Sequence, residues 1–212
     1  MPTTDHRLEQ RLFEQSVLAD MPSPEITVLR QHIEQLVPLR AQDVALLNEL
    51  VTIRHLPRRA VINAPGSYAR TMYFVVKGLL KLSYLSTEGT EHILGFAYED
   101  WWEGDFQAFL HGAQTELRLS TLEPTTLCCF GFAAYTRLCA EIPTLERFFL
   151  AKATAGFAAS QQRILSLMTA DATSRYHRLL QTQPVLLQRV SKTQLAAYLG
   201  VSRETLSRLR RE

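Results

Sequence analysis

The spacing of apolar residues changes character twice along this chain. Residues 5–19 and 25–37 carry helical spacing, with Pro22 and Pro24 breaking between them, and Asp43–Leu50 adds a short helix. From Thr52 to Phe132 the texture favours strands: Ala60–Ile62, Met72–Val76, Leu79–Leu85 and His92–Ala97. Pro65-Gly66, Lys77-Gly78 and Glu88-Gly89 supply turn chemistry between them. Short strands at such spacing predict a barrel or sandwich of the jelly-roll type. Helical spacing returns at Pro143 and runs unbroken to Met168. Asp171 is then placed to cap a further helix, Ala172–Gln181.

The most specific pattern closes the chain. Ser191 followed three residues later by Gln194 is a capping box, so a helix is expected from Lys192, with Leu195, Ala196 and Leu199 on its apolar face. Gly200 offers the positive φ of a tight turn between two crossed helices. Ser202 caps a second helix whose Leu206 and Leu209 face inward, leaving Arg203, Glu204 and Arg208 outward. These are base-reading side chains. Arginine donates two parallel hydrogen bonds to guanine O6 and N7, and glutamate accepts from the cytosine amino group. Ser191, Lys192, Thr193, Ser202, Arg210 and Arg211 fall where phosphate contacts fix register without reading sequence. A helical hairpin with a solvated basic face is the plain alternative.

Charge and composition add constraints. The formal net charge is +2, yet residues 189–212 hold six basic side chains against Glu204 and Glu212, so the remainder is slightly acidic. A near-neutral body with a basic end suits contact with DNA through that end. No secretory signal and no apolar run near the ~20 residues of a membrane span is expected, so the reading is a cytoplasmic protein. Cys128, Cys129 and Cys139 form neither a zinc spacing nor an even disulfide set and read as buried reduced thiols. Along the long helix, Phe148, Ala151, Ala155, Ala158, Gln162 and Leu165 recur at three- and four-residue steps, the stripe of a two-stranded coiled coil. Paired recognition helices require such a dimer. The alternative is that the stripe packs on its own β-structure.

The order of strand region, long helix and helix-turn-helix resembles the Crp–Fnr superfamily of bacterial transcription regulators over residues 26 to 210. Val201-Ser202-Arg203-Glu204-Thr205 with Arg208 looks like the family's recognition helix. Tyr73-Phe74-Val75-Val76-Lys77-Gly78 is similar to its strand and glycine turn, and Asp171-Ala172-Thr173-Ser174-Arg175 to its hinge. The resemblance implies base readout by Arg203, Glu204 and Arg208, with a hinge at Asp171. It implies double-stranded DNA, a second copy of the chain and RNA polymerase as partners.

It implies less about an effector. Family members that bind cyclic nucleotides use a glycine and glutamate, then an arginine-serine pair about ten residues on. Here Gly104 and Asp105 stand for the first element, while Thr115 and Glu116 replace the arginine and serine. A cyclic phosphate needs a paired cation when buried. Losing that cation and gaining Glu116 is expected to cost on the order of a thousandfold in affinity. Glu116, Arg118 and Ser120 read as the polar face of a strand. Iron–sulfur sensing in this family uses cysteines near the N-terminus, and none precedes Cys128. His6, His32, His55, His92, His111 and His177 are scattered, so neither haem nor another cofactor or metal is expected. Trp101, Trp102, Phe106 and Phe109 read as β-roll core, an apolar pocket being the alternative.

The expected fold is α+β: an N-terminal extension (1–24), a double-stranded β-helix, or jelly-roll, sensor domain of the cyclic-nucleotide-binding type (25–142), a long dimerisation helix (143–170), and an all-α helix-turn-helix domain (171–212). The last is expected to lack the family's C-terminal wing, giving weaker, more salt-sensitive binding. The expected function is a homodimeric regulator reading a palindrome, unresponsive to cyclic AMP, with an unidentified small-molecule effector or none. A signalling module whose terminal helices dock proteins is the rival, but has no need of Arg203, Glu204 and Arg208. A cupin-type metalloenzyme would need a histidine cluster, and no His-x-His pair occurs.

Overall fold

The structure, a computed structural model, describes residues 22–209. The helix expected over 5–19 and the candidate phosphate contacts Arg210 and Arg211 lie outside the described residues. Helix α1 (Pro24–Glu34) begins where Ser23 Oγ accepts the Ile26 amide at 3.2 Å and Pro24 fills the first turn. It stops short of the expected Val37, because Pro38 biases the residue before it away from helix. Helix α2 (Ala41–Leu50) starts two residues early. There Asp43 turns back on the Arg40 amide at 2.8 Å, so it serves the cap instead of opening the helix.

Eight strands follow: β1 (Thr52–Leu56), β2 (Val61–Asn63), β3 (Thr71–Lys77), β4 (Leu80–Leu85), β5 (Glu91–Ala97), β6 (Trp102–Glu103), β7 (Leu117–Thr121) and β8 (Thr125–Gly131). They form two four-stranded sheets, ordered β1-β8-β3-β6 and β2-β7-β4-β5, with antiparallel neighbours. The unbroken apolar run of β3 has a simple cause. Tyr73 and Val75 fill the space between the sheets, while Met72 and Phe74 face the helices on the other side. Strand β8 divides the same way, Leu127 and Cys129 inward between sheets, Cys128 and Phe130 toward the helices. The three cysteines are buried and free, and burial pushes the Cys128 thiol up to about 12 and Cys129 to about 11.

Three helices were not anticipated from the pattern, one of them the single turn Leu186–Arg189. Helix α3 (Phe106–His111) sits between β6 and β7, capped by Asp105, which accepts the Ala108 amide, and ended by Gly112 at φ +61°. Helix α4 (Phe132–Glu141) follows β8 directly. Helix α5 (Pro143–Thr169) covers the expected long helix, and α6 (Ala172–Thr182) opens at Asp171, which accepts the Ser174 amide at 2.7 Å. After the short α7 (Leu186–Arg189) come α8 (Lys192–Leu199) and α9 (Arg203–Leu209).

One residue of the expected dimer stripe belongs elsewhere. Phe148 is fully buried, edge-on to Phe149 and Trp102, because the first turns of α5 run through the helical core beside β3 and β8. That burial contributes roughly 2 kcal/mol to folding of the single chain. Ala151, Ala155, Ala158, Gln162 and Leu165 are exposed. Beside them runs a bulkier exposed line that the alanines had drawn attention away from: Leu150, Phe157, Ile164 and Met168, from 57% to 79% exposed.

His32 explains another part of the core. Burial, with Lys152 nearby, lowers its pKa to about 4, so it is neutral and its Nε2 accepts the Trp102 indole N–H at 3.3 Å. It packs tilted against Phe74 and edge-on to Phe148.

Candidate nucleic-acid interface and effector cavity

The helix-turn-helix forms as its caps require. Ser191 Oγ accepts the Gln194 amide at 3.3 Å, and the Gln194 side chain returns to the same hydroxyl at 3.0 Å. Gly200 takes φ +66°. Ser202 Oγ accepts the Thr205 amide at 3.1 Å and starts α9. Leu195, Ala196, Leu199 and Leu206 are buried. Arg203, Glu204 and Arg208 are all exposed, as are Ser191, Lys192, Thr193 and Ser202. Glu204 is held below the usual carboxylate range by its own backbone N–H and the Ser202 hydroxyl, so it stands ready as an ionised acceptor. Ser191 and Ser202 spend hydroxyl capacity on caps; Lys192 and Thr193 are the freer candidates for phosphate.

One tail residue does different work. Arg189, counted with the basic end, turns inward. Its guanidinium donates to the Glu99 carboxylate at 2.6 and 3.0 Å, to Glu123, and to the Gly78 carbonyl at 2.9 Å. Burial alone raises the Glu99 pKa, but hydrogen bonds from Arg189 and the Gly78 amide outweigh it and bring it down to about 2. Gly78 adopts φ +113° and a side chain there would strike Thr125, so the loop can close only with glycine. An apolar cluster seals the same junction: Leu79, Ile93 and Phe96 of the β-roll pack with Tyr176, Leu179, Leu195 and Leu199. Arg163 of α5 completes it, stacked 3.8 Å over the Tyr198 ring and donating to the carbonyls of Ile93 and Tyr198.

The stretch expected to be a degenerate effector pocket is arranged differently from expectation. Thr115, where the phosphate-gripping arginine would stand, is 2% exposed and donates to Asp105 Oδ2 at 2.6 Å. Asp105 Oδ1 is already taken by the Ala108 amide, so the pair closes on itself as a helix cap. Glu116 is not a pocket residue. It is exposed and points to solvent, so the expected like-charge repulsion does not arise there; the loss of the arginine stands alone. Ser120 is buried and does not join Glu116 and Arg118 on an exposed polar face.

A cavity of about 1030 Å³ does exist, bounded by the β-roll, α5 and the helix-turn-helix domain. Gly104 is on its wall, with Trp101, Trp102, Phe106 and Phe109. These aromatics therefore serve both readings: Phe109 is buried core, whereas Phe106 is 47% exposed. The cavity also brings in Glu103, which the sequence did not single out because it sits between Trp102 and Gly104 without a motif of its own. Burial pushes its pKa up to about 7, against the opposing bond from the Gly104 amide at 2.9 Å.

A group whose pKa is raised on folding favours the folded state below its unfolded value and loses that stability as pH rises through the folded value. Glu103→Gln should therefore stabilise the protein by about 1–2 kcal/mol near pH 8, where cavity solvent screens part of the penalty. Near pH 4 the gain should vanish. Thermal melts at the two pH values measure this; equal shifts at both would show that Glu103 is not desolvated.

The chain thus joins a β-roll through one long helix to a helix-turn-helix. Residues 53–141 match the family model of the cyclic nucleotide-binding domain. The chain is 22% identical over 200 residues to the cAMP-activated global transcriptional regulator CRP of Haemophilus influenzae, covering 88% of this chain and 89% of that one. It is 26% identical over 186 residues to the transcriptional activator protein Anr of Pseudomonas protegens, covering 81% and 74%. In fold it is similar to the c-di-GMP responsive global regulator CLP of Xanthomonas campestris, with TM-score 0.65, 22% identity and coverage of 81% and 90%. The catabolite activator protein of Thermus thermophilus gives TM-score 0.54 at 21% identity, covering 85% and 84%. Both of these curated relatives, each aligned along more than four fifths of this chain, are transcription regulators, and the chain is similar to them over most of its length. No described helix is long and apolar enough to cross a membrane.

Proposed function

We propose that this protein is a dimeric, sequence-specific regulator that reads a palindromic DNA site with one α9 helix per half-site and does not respond to cyclic AMP. The observation that carries it is the exposure of Arg203, Glu204 and Arg208 on a helix whose apolar face is fully engaged. Two arginines and an ionised glutamate on one such surface match guanine and cytosine edges. Unresponsiveness to cyclic AMP is supported by the Thr115–Asp105 closure, in which a threonine hydroxyl, spent on Asp105, stands where the family's arginine would be.

Dimerisation is supported by the exposed apolar line of α5. Phe157, 65% exposed at mid-helix, is the central contact in this reading. Phe157→Glu should weaken self-association about tenfold or more, since a charge would replace a buried aromatic; sedimentation against concentration reads it. Unchanged association would move the interface off this line. RNA polymerase is the further partner that the family resemblance suggests.

The deciding experiment is selection of bound duplexes from a random pool, with and without cyclic AMP. A palindrome with half-sites about one helical turn apart, recovered equally in both, is the expected result. Recovery only with cyclic AMP would overturn the ligand part of the reading. No motif under either condition would overturn DNA recognition by the resting protein.

A further inference from the structure

The cavity differs in chemistry from a nucleotide site. Three of the four cations on its wall donate to oxygens within the protein. Arg163 is held by the Ile93 and Tyr198 carbonyls, Arg175 donates to Leu199 O at 2.9 Å and to Ala170 O, and Arg178 donates to Gln162. Lys152 lies over the Phe148 ring at 5.4 Å. Glu103 is the opposite case. Among the described residues its carboxylate has one hydrogen-bond partner, the N–H of the next residue, and that bond uses Oε1. Oε2 lies against Gly95, where an added Cβ would stand 3.6 Å away, and has no hydrogen-bond partner among the described residues.

The remaining wall is apolar. Trp101, Phe106, Leu110 and Phe149 line it with Ala153 and Gly156 of α5, whose small side chains leave width beside the helix. At about 1030 Å³ the space exceeds what water-filled irregularities of a small domain need and is at the upper end for a small-molecule site. An anion set against Glu103 would meet a second negative charge there, and the three arginines of the wall already donate to oxygens of the chain. A ligand that brings its own donor meets an acceptor with a vacant lone pair, inside an aromatic enclosure.

We propose that this cavity binds a lipophilic small molecule carrying one hydrogen-bond-donating head, an amine or a hydroxyl, set against Glu103, with its apolar body along α5. The proposal rests on reading the cavity as the effector site of the regulator. Its wall includes Leu179 and Leu199 of the helix-turn-helix domain, so occupancy bears directly on how that domain is held. A ligand shifts such an equilibrium only through contacts that differ between arrangements, and these two residues supply them.

Three probes with one chain length separate the possibilities: dodecylamine, dodecanol and dodecanoate, each kept below its aggregation concentration. The chain has two tryptophans, Trp101 and Trp102, both on the cavity wall, so their fluorescence reports occupancy directly. Full-length protein should bind the amine and the alcohol saturably at one site per chain, with dodecanoate about tenfold weaker or worse. Glu103→Gln should lower amine affinity about tenfold while the protein still melts in a single cooperative transition, no less stable than the parent. Dodecanoate binding as tightly as the amine would overturn the proposal. So would amine affinity unchanged in Glu103→Gln, or the absence of saturable binding by amine and alcohol. Duplex selection on the same preparation keeps the two readings apart: DNA recognition with no amine site defeats only this inference, and an amine site with no DNA recognition defeats only the regulator.

Discussion

Arg203→Ala combined with Arg208→Ala should abolish sequence-specific DNA binding while leaving the protein folded. Each arginine is exposed on α9, and neither forms an ion pair among the described residues, so the fold loses little when they go. A bidentate arginine–guanine contact discriminates by about 1–3 kcal/mol, so losing two at separate base pairs should cost about 2–6 kcal/mol, or between thirtyfold and ten-thousandfold. Fluorescence anisotropy on the selected palindrome and on a scrambled duplex measures it. The affinities for the two duplexes should converge on a weak, salt-sensitive value carried by phosphate contacts. Full discrimination in the double variant would remove α9 from base readout.

Arg189→Ala should release the DNA-binding domain from the β-roll. Removing the guanidinium leaves Glu99 and Glu123 facing each other at a half-buried junction and deprives the Gly78 carbonyl of its donor. Breaking a fully buried pair costs 3–5 kcal/mol; with both carboxylates partly solvated, about 2–3 kcal/mol is expected. Limited proteolysis should then cut near Ala170–Asp171, between α5 and α6, at rates the parent protein does not show. Arg189→Lys should recover only part, because an ammonium cannot reach two carboxylates and a carbonyl in one plane. Acid should act in the same direction. Glu99 is depressed to about 2, so its stabilisation is complete above its unfolded value and is lost as pH falls from about 4 toward 2. A proteolysis rate unchanged by Arg189→Ala would mean that the apolar cluster alone holds the junction.

The helix-turn-helix was legible in the sequence because caps, turn glycine and apolar spacing are local signals, and Ser191, Gly200 and Ser202 act within a few residues of themselves. The jelly-roll was legible for the same reason at its turns, and the long helix to within one residue. Sequence spacing failed where a tertiary partner decides. Helices α3 and α4 are short and follow strands directly, so their periodicity is diluted, although Asp105 and Gly112 are ordinary cap signals for α3. Phe148 fits a heptad as well as a core, and only the presence of Trp102 and Phe149 beside it decides between them. Glu116 sits next to Thr115 in sequence, yet the two face opposite ways. Arg189 belongs by position to the basic tail, while its partners Glu99 and Glu123 are 90 and 66 residues distant. Glu103 carries no motif; its character comes from an enclosure built by many separate stretches of chain, from Met72 to Leu199.

The apolar cluster shared by β5 and the terminal helices also bears on modularity. Phe96 meets the Tyr198 ring at 5.2 Å, and Leu79 and Ile93 belong to the same packed set as Leu195 and Leu206. The helix-turn-helix domain has thus borrowed part of its interior from the β-roll. Cut at Asp171, it would expose that borrowed surface. A chimaera that grafts this domain onto another relative's β-roll would need to bring along the matching residues of β5 and the Gly78 turn. The unit of exchange between such proteins is therefore the domain together with its seat.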